Sequence, residues 1–192
     1  MSAEAKLTKH PIQPYFDMEA YMLLSQESRL GGAVVERLAA LWEQWLPLLQ
    51  VYEVRGEKIS WLALWLPESV ENQVDGCWSA SPAEGWLVNT LAQFMCMSAV
   101  QELLPEVGEF RCAPSPRPTR ALREALGRLR LSYKENAATL SRRYAVVTHY
   151  PYRGGCEICQ LQSHCPKEQG KDENLPVLLL PGYEKNPAPA DR

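Results

Sequence analysis

Apolar positions recur along the chain with periods that mark out its elements. In "GGAVVERLAALWEQWLPLLQ", Val34, Val35, Leu38, Leu41, Trp42, Trp45 and Leu46 fall three and four apart. That spacing predicts a helix burying one stripe, ended or kinked by Pro47. Before it, "DMEAYMLLSQESRL" (17–30) predicts a shorter amphipathic helix capped by Asp17. "VYEVRGEKISWLALWL" predicts a β-hairpin, with two β-prone runs flanking Arg55-Gly56-Glu57-Lys58 and Gly56 supplying the positive φ of a tight turn. Pro67 closes it, and "ESVENQVDGCWSA" predicts a short helix and loop. "SPAEGWLVNTLAQFMCMSAVQELL" carries the strongest helical signal. Ser81 caps it, Pro82 suits its first position and Glu84 completes a capping box. Leu87, Leu91, Phe94, Met95, Ser98 and Leu103 follow one side, Gly85 weakens the first turn, and Pro105 stops the helix.

The proline-rich "GEFRCAPSPRP" is the candidate internal boundary. Two short helices are expected after it, one from Thr119 ("TRALREALGRLRL") and one from Ser132 ("SYKENAATLSRR"), the second with Glu135 completing a capping box. "YAVVTHY" (144–150) predicts a strand. "LPVLLLP" is a last short apolar segment, and "GYEKNPAPADR" is expected to be a disordered tail. These elements predict an α+β fold, mostly helical, with a small β-hairpin and a C-terminal Cys-rich loop. The expected organisation is an acidic helical and hairpin region over 1–110, a basic helix pair with the Cys-rich region over 111–175, and an apolar segment and tail over 176–192, the whole compatible with one compact domain. Trp42, Trp45, Trp61, Trp65, Trp78 and Trp86 lie on or beside faces assigned to the core and are read as packing residues.

Composition leaves the class open: 46% of the 192 residues are apolar and 22% charged, as in an ordinary globular protein that can bury a core without a metal. "MSAEAKLTKHPIQP" lacks a signal-peptide core, and no apolar run approaches the roughly 20 residues of a membrane span. The chain is therefore expected to be cytoplasmic with no membrane partner, and its cysteines to be thiols. Charge is segregated. Residues 1–110 hold 6 Lys/Arg and 15 Asp/Glu, residues 111–153 hold 10 and 2, and residues 154–192 hold 4 and 6. A basic block of this kind points to an anionic partner: nucleic acid, an acidic protein, or the acidic first half of the same chain.

The candidate chemistry lies in "RGGCEICQLQSHCPK". Cys156-x2-Cys159 lets two thiolates and the intervening amides point at one metal or cluster, and Cys165-Pro166 adds a third thiol. Gly154 and Gly155 ease the backbone into the loop. Cys112 is the natural fourth ligand, with His149 in reserve and His164 a poorer competitor because it is adjacent to Cys165. Cys96, inside the strong helix, is read as a buried small hydrophobe, and Cys77 as structural. A thioredoxin-like motif would need a βαβ setting, and a c-type haem would need His where Gln160 stands.

Cys-x2-Cys-x5-Cys-Pro resembles the end of the [4Fe–4S] loop of endonuclease III-type DNA glycosylases and the iron staple of RecB-like nucleases, including those associated with CRISPR adaptation. The staple arrangement, one distant upstream cysteine and a terminal knot of three, implies Cys112 with Cys156, Cys159 and Cys165 as ligands of a [4Fe–4S] cluster. In the glycosylases the first cysteine lies seven residues before the second, where this chain has His149. The resemblance covers about 20 residues and brings neither a helix-hairpin-helix nor an Asp…Glu-x-Lys core, so no activity follows from it. "TLSRRYAVVTHYPYRGGCEIC" is also similar to the end of siderophore ferric reductases, which have an adjacent cysteine pair where this chain has Tyr144-Ala145. Zn²⁺ is the alternative metal.

The basic block also suggests a helix-turn-helix. Its second helix would present Tyr133, Lys134, Asn136, Thr139, Arg142 and Arg143 to a groove or to phosphates, with Arg117, Arg120, Arg123, Arg128 and Arg130 adding backbone contacts. No Ser/His/Asp constellation or phosphate loop is present in the sequence, and His10 is expected in an exposed arm. The functional expectation is a cluster-binding accessory, electron-transfer or redox-sensing protein. Its alternatives are a nucleic-acid-binding protein with a structural metal staple and a cluster-dependent reductase.

Overall fold

A computed structural model describes residues 5–108, 112–134, 139–153 and 155–165, with His164 by its backbone alone. In chain order the elements are β1 (Lys6–Lys9), α1 (Met18–Ser25), α2 (Gly32–Trp45), β2 (Gln50–Arg55), β3 (Ser60–Trp65), α3 (Glu68–Ala80), α4 (Pro82–Leu103), α5 (Arg120–Arg128) and β4 (Ala145–Tyr150). The fold is α+β. All four strands pair antiparallel in the order β1-β2-β3-β4, so the hairpin is the centre of a larger sheet.

The continuous apolar run of β3 reflects burial on both faces. Leu62, Leu64 and the following Leu66 join the larger core with Tyr21, Leu38, Trp42, Trp45, Leu91 and Met95 from α1, α2 and α4. Trp61, Ala63 and Trp65 join a second core with Val54, Val147 and Leu122, Ala125 and Leu126 of α5. Because β4 pairs with β3 throughout its length, the sheet crosses the boundary expected near residue 110, and the acidic and basic regions share it.

Among the described residues, side-chain caps start three of the five helices. The Asp17 carboxylate accepts from the amides of Glu19 and Ala20. Ser81 Oγ accepts from the Glu84 amide, and Thr119 Oγ1 from the Leu122 amide. The capping box at Ser81 is incomplete: its own amide donates to Cys77, and the Glu84 carboxylate pairs with Arg37. The stretch read as a short helix and loop is one 13-residue helix, α3, because Val70 and Val74 keep its buried stripe in phase. The stripe expected on α4 is wider than one side: Val88, Leu91, Ala92, Met95, Cys96 and Ala99 are all buried, since α4 packs against α1, α2, α3 and β3 at once.

Three expectations are corrected. The second basic helix is not formed among the described residues. Tyr133 bridges Leu140, Lys134 N–H donates to the Thr139 carbonyl and Ser141 N–H to the Ser132 carbonyl, so residues 131–134 and 139–141 pair antiparallel. Leu131, Tyr133 and Leu140 enter the second core in place of a polar recognition face. Arg130, with φ of 57°, turns the chain off α5 while Leu131 N–H caps the Leu126 carbonyl. Glu135, Asn136, Gly154 and Pro166, together with "LPVLLLP" and the tail, lie outside the described residues. His10 does not sit in an exposed arm: it follows β1, its amide donates to Val51, and its Nε2 is buried 3.5 Å from Glu53. Gly56 does not adopt a positive φ. What requires glycine is closeness, since a Cβ there would lie 2.8 Å from the Ile59 carbonyl oxygen.

Four tryptophans, 42, 45, 61 and 65, are core residues. Trp78 and Trp86 remain 38% and 43% exposed, although Trp86 Nε1 donates to the Ser25 carbonyl at 3.0 Å.

Candidate metal centre

The chain leaves β4 through a cis Tyr150–Pro151 peptide and forms two successive 3-10 turns, Cys156–Ile158 and Gln162–His164. Cys159 N–H donates to the Cys156 carbonyl, Gln162 N–H to Cys159, and Cys165 N–H to Gln162. Each cysteine thus stands at the start or end of a tight turn, as the short spacings require.

This loop packs on the segment that follows Cys112. Gln160 N–H donates to the Ser115 carbonyl at 3.0 Å, and Gln160 Nε2 donates to Ser115 Oγ at 2.9 Å. The Tyr152 hydroxyl stands 3.5 Å from the Cys112 carbonyl, and buried Thr148 donates through Oγ1 to the Pro114 carbonyl. Residues 112–115 are therefore tied to β4 and to the cysteine loop, although 44 residues separate Cys112 from Cys156. Sequence spacing gave no sign of Ser115, Tyr152 or Gln160, because these contacts exist only after β4 has docked on β3.

All six cysteines are free thiols. Cys112 and Cys156 are exposed, Cys159 and Cys165 half-buried. Four soft donors on loops, all free of disulfides, fit zinc or an iron–sulfur cluster by donor chemistry. The thiols themselves are not gathered: among the described residues no three His, Cys, Asp or Glu side chains stand together as a metal-binding group. What the fold brings together is backbone: the cysteine loop at Gln160 and the Cys112 segment at Ser115.

His149, the reserve ligand, alternates with Thr148 and Tyr150 and so faces the α5 side of the sheet. Among the described residues its buried Nδ1 has no hydrogen-bond partner, and burial, reinforced by Arg153, holds its pKa below the ordinary histidine value. Ala113 packs in the core on the other face. Cys96 is a buried thiol whose Sγ lies 3.7 Å from the Tyr144 carbonyl, and burial pushes its pKa up to about 12. Cys77 lies on α3 beside Arg37 and Glu84; burial first, and then Glu84, raise its pKa.

The basic residues divide. Arg142 pairs with Glu68 and Glu71. Arg143 makes two hydrogen bonds to the Asp75 carboxylate, and its amide donates to Glu71. The acidic partner of these two is therefore α3 of the same chain. Arg120 pairs with Glu124 one turn on, Arg123 donates to the Pro118 carbonyl and lies over the Tyr133 ring, and Arg128 donates to the Ala5 carbonyl. Arg117 is exposed, and Arg117, Arg130 and Lys134 form no ion pair among the described residues.

No helix among the described residues is long and apolar enough to cross a membrane. Glu53 was missed by sequence reasoning: a carboxylate in the buried phase of β2, 7% exposed, held by Arg55 and facing His10. Its position two residues after buried Val51 is the signal that would have found it. Comparison of the chain with protein-family models, with curated proteins and with solved structures returns no match.

Proposed function

We propose that the protein binds one metal centre, a [4Fe–4S] cluster, through Cys112, Cys156, Cys159 and Cys165, and acts as a cluster-binding accessory or electron-transfer protein. The supporting observation is the double hydrogen bond between Gln160 and Ser115, which draws the three-cysteine loop onto the segment carrying Cys112. Ser115 and Gln160 register the two loops, and Tyr152 holds the Cys112 backbone against the exit of β4. A bound cluster would supply one-electron chemistry and a covalent staple between these loops.

Nothing in the geometry favours a recognition helix for nucleic acid: residues 131–134 and 139–141 pair with each other, and Arg142 and Arg143 are engaged with α3. Anaerobic purification followed by visible absorption and iron, sulfide and zinc analysis tests the proposal. A brown protein with several irons and sulfides per chain is expected, and Cys112→Ser should lose most of that iron. A colourless protein with one zinc would replace the cluster with a structural zinc. Full iron retention in the Cys112 variant would move the fourth ligand elsewhere, with His149 the next residue to substitute.

A further inference from the structure

β4 forms one edge of the sheet. Leu66 N–H donates to the Tyr144 carbonyl at 2.9 Å, in the register that pairs Trp65 with Ala145. Antiparallel pairs alternate between hydrogen-bonded and non-bonded. The backbone groups of Tyr144, Val146, Thr148 and Tyr150 therefore point to β3, and those of Ala145, Val147 and His149 point outward. Among the described residues these outward groups have no backbone partner. Ala113 packs against the core on one face of the sheet, and Tyr133 and Leu140 pack in the core on the other. All three wall a groove of about 270 Å³ that runs along Ala145 to Val147, so this edge is a slot between two layers. Layers on both faces leave no room for the equally flanked edge of a second copy. A single extended chain fits, and it supplies both the acceptors and the donors that outward amides and carbonyls need. Phosphates supply acceptors alone. Tyr133 is 9% exposed, and among the described residues its buried hydroxyl has no hydrogen-bond partner.

Charge selects among extended chains. The groove lining includes Arg142 and Arg143 and, among the described residues, no Asp or Glu. Those two arginines are matched by the carboxylates of α3. Two further cations flank the groove: Arg117, two residues beyond Ser115 of the lining, and Lys134, next to Tyr133. Both are exposed, and neither forms an ion pair among the described residues. We propose that this slot receives an extended acidic peptide of a partner protein, added as a strand on β4, with its carboxylates facing Arg117 and Lys134. The inference is independent of whether a metal is bound.

The probe is the acetylated and amidated peptide Glu-Val-Glu-Val-Glu-Val-Glu, added to the full-length protein and followed by amide NMR. It should shift the Ala145, Val147 and His149 amides and slow their exchange about tenfold at saturation, while Leu62 and Leu64 in the central strand stay unchanged. The same peptide with Lys in place of Glu should bind about tenfold more weakly or not at all. Ala145→Pro removes an outward amide donor and leaves the β3 ladder intact, so it should weaken binding of the acidic peptide about tenfold with the Leu62 and Leu64 amides still protected. Should that variant lose the central-strand protection, Arg117→Gln/Lys134→Gln decides, since both side chains are exposed and the same weakening is expected. No shift of the three edge amides with about 1 mM acidic peptide, equal binding of the lysine peptide, or binding that the variants leave unchanged overturns the proposal. Three other outcomes also overturn it. Edge amides protected in the free protein at every dilution would give the slot to the chain itself. Protection lost on dilution would give it to a second copy, and tighter binding of single-stranded oligothymidylate at the same amides would give it to nucleic acid.

Discussion

Gly85 lies where α3 and α4 approach most closely. A Cβ built there would stand 2.4 Å from the Trp78 ring and 2.7 Å from the Trp78 Cα. The second contact is backbone, so the helices themselves would have to part. From sequence alone Gly85 looks like a propensity defect in a first turn. In the fold it permits the packing that half-covers Trp78. Gly85→Ala should therefore destabilise despite its gain in helix propensity, by about 1–3 kcal/mol as an overpacking substitution, read as a lower urea midpoint with an unchanged slope.

At the scale of elements, the acidic face of α3 and the basic entrance to β4 are complementary. Residues 142 and 143 meet Glu68, Glu71 and Asp75 across about 70 positions of sequence. The hydrogen bond from Arg143, aided by its charge, holds the Asp75 carboxyl below the ordinary aspartate value. As pH falls, the unfolded chain therefore takes up this proton first. The stabilisation is complete above the unfolded pKa and is lost as pH drops through the folded one. In Arg143→Gln, the Asp75 pKa should move up toward the ordinary aspartate value in a carboxyl-carbon NMR titration. A basic block whose sequence pointed to nucleic acid, an acidic protein or the chain's own acidic half thus uses two of its cations for internal docking. Charge counts cannot distinguish the two, because both require the same segregation.

For the whole molecule, the decisive feature is that β4 closes on β3 after three intervening helices. One sheet carries two cores on its opposite faces. Unfolding should accordingly be one cooperative event: exchange of the Leu91 and Met95 amides in the larger core and of the Leu122 and Leu126 amides in the second core should report the same transition in denaturant. Separate midpoints would mean that the regions before and after residue 110 fold independently.

The candidate site was legible in part. Cys156, Cys159 and Cys165 announce themselves by spacing, and Cys112 by its place in a proline-rich loop. Ser115, Gln160 and Tyr152, which bring the two segments together, carry no local signal. Thr148 looks like an ordinary strand residue until its hydroxyl is seen holding the Pro114 carbonyl.

What the sequence determined by itself was everything governed by neighbours a few residues apart: the helical stripes, the caps at Asp17, Ser81 and Thr119, and the hairpin around Gly56. These depend on local periodicity and on hydrogen bonds within one turn, which amino-acid order specifies directly. Only the tertiary structure decided that residues 131–134 and 139–141 would pair with each other, with Leu131, Tyr133 and Leu140 packed in the second core. It likewise decided that α3 would be the acidic partner of Arg142 and Arg143, and that Ser115 would bond Gln160 of the cysteine loop. Those outcomes turn on which distant surfaces exclude water together, and no short window of sequence contains both sides of such a contact.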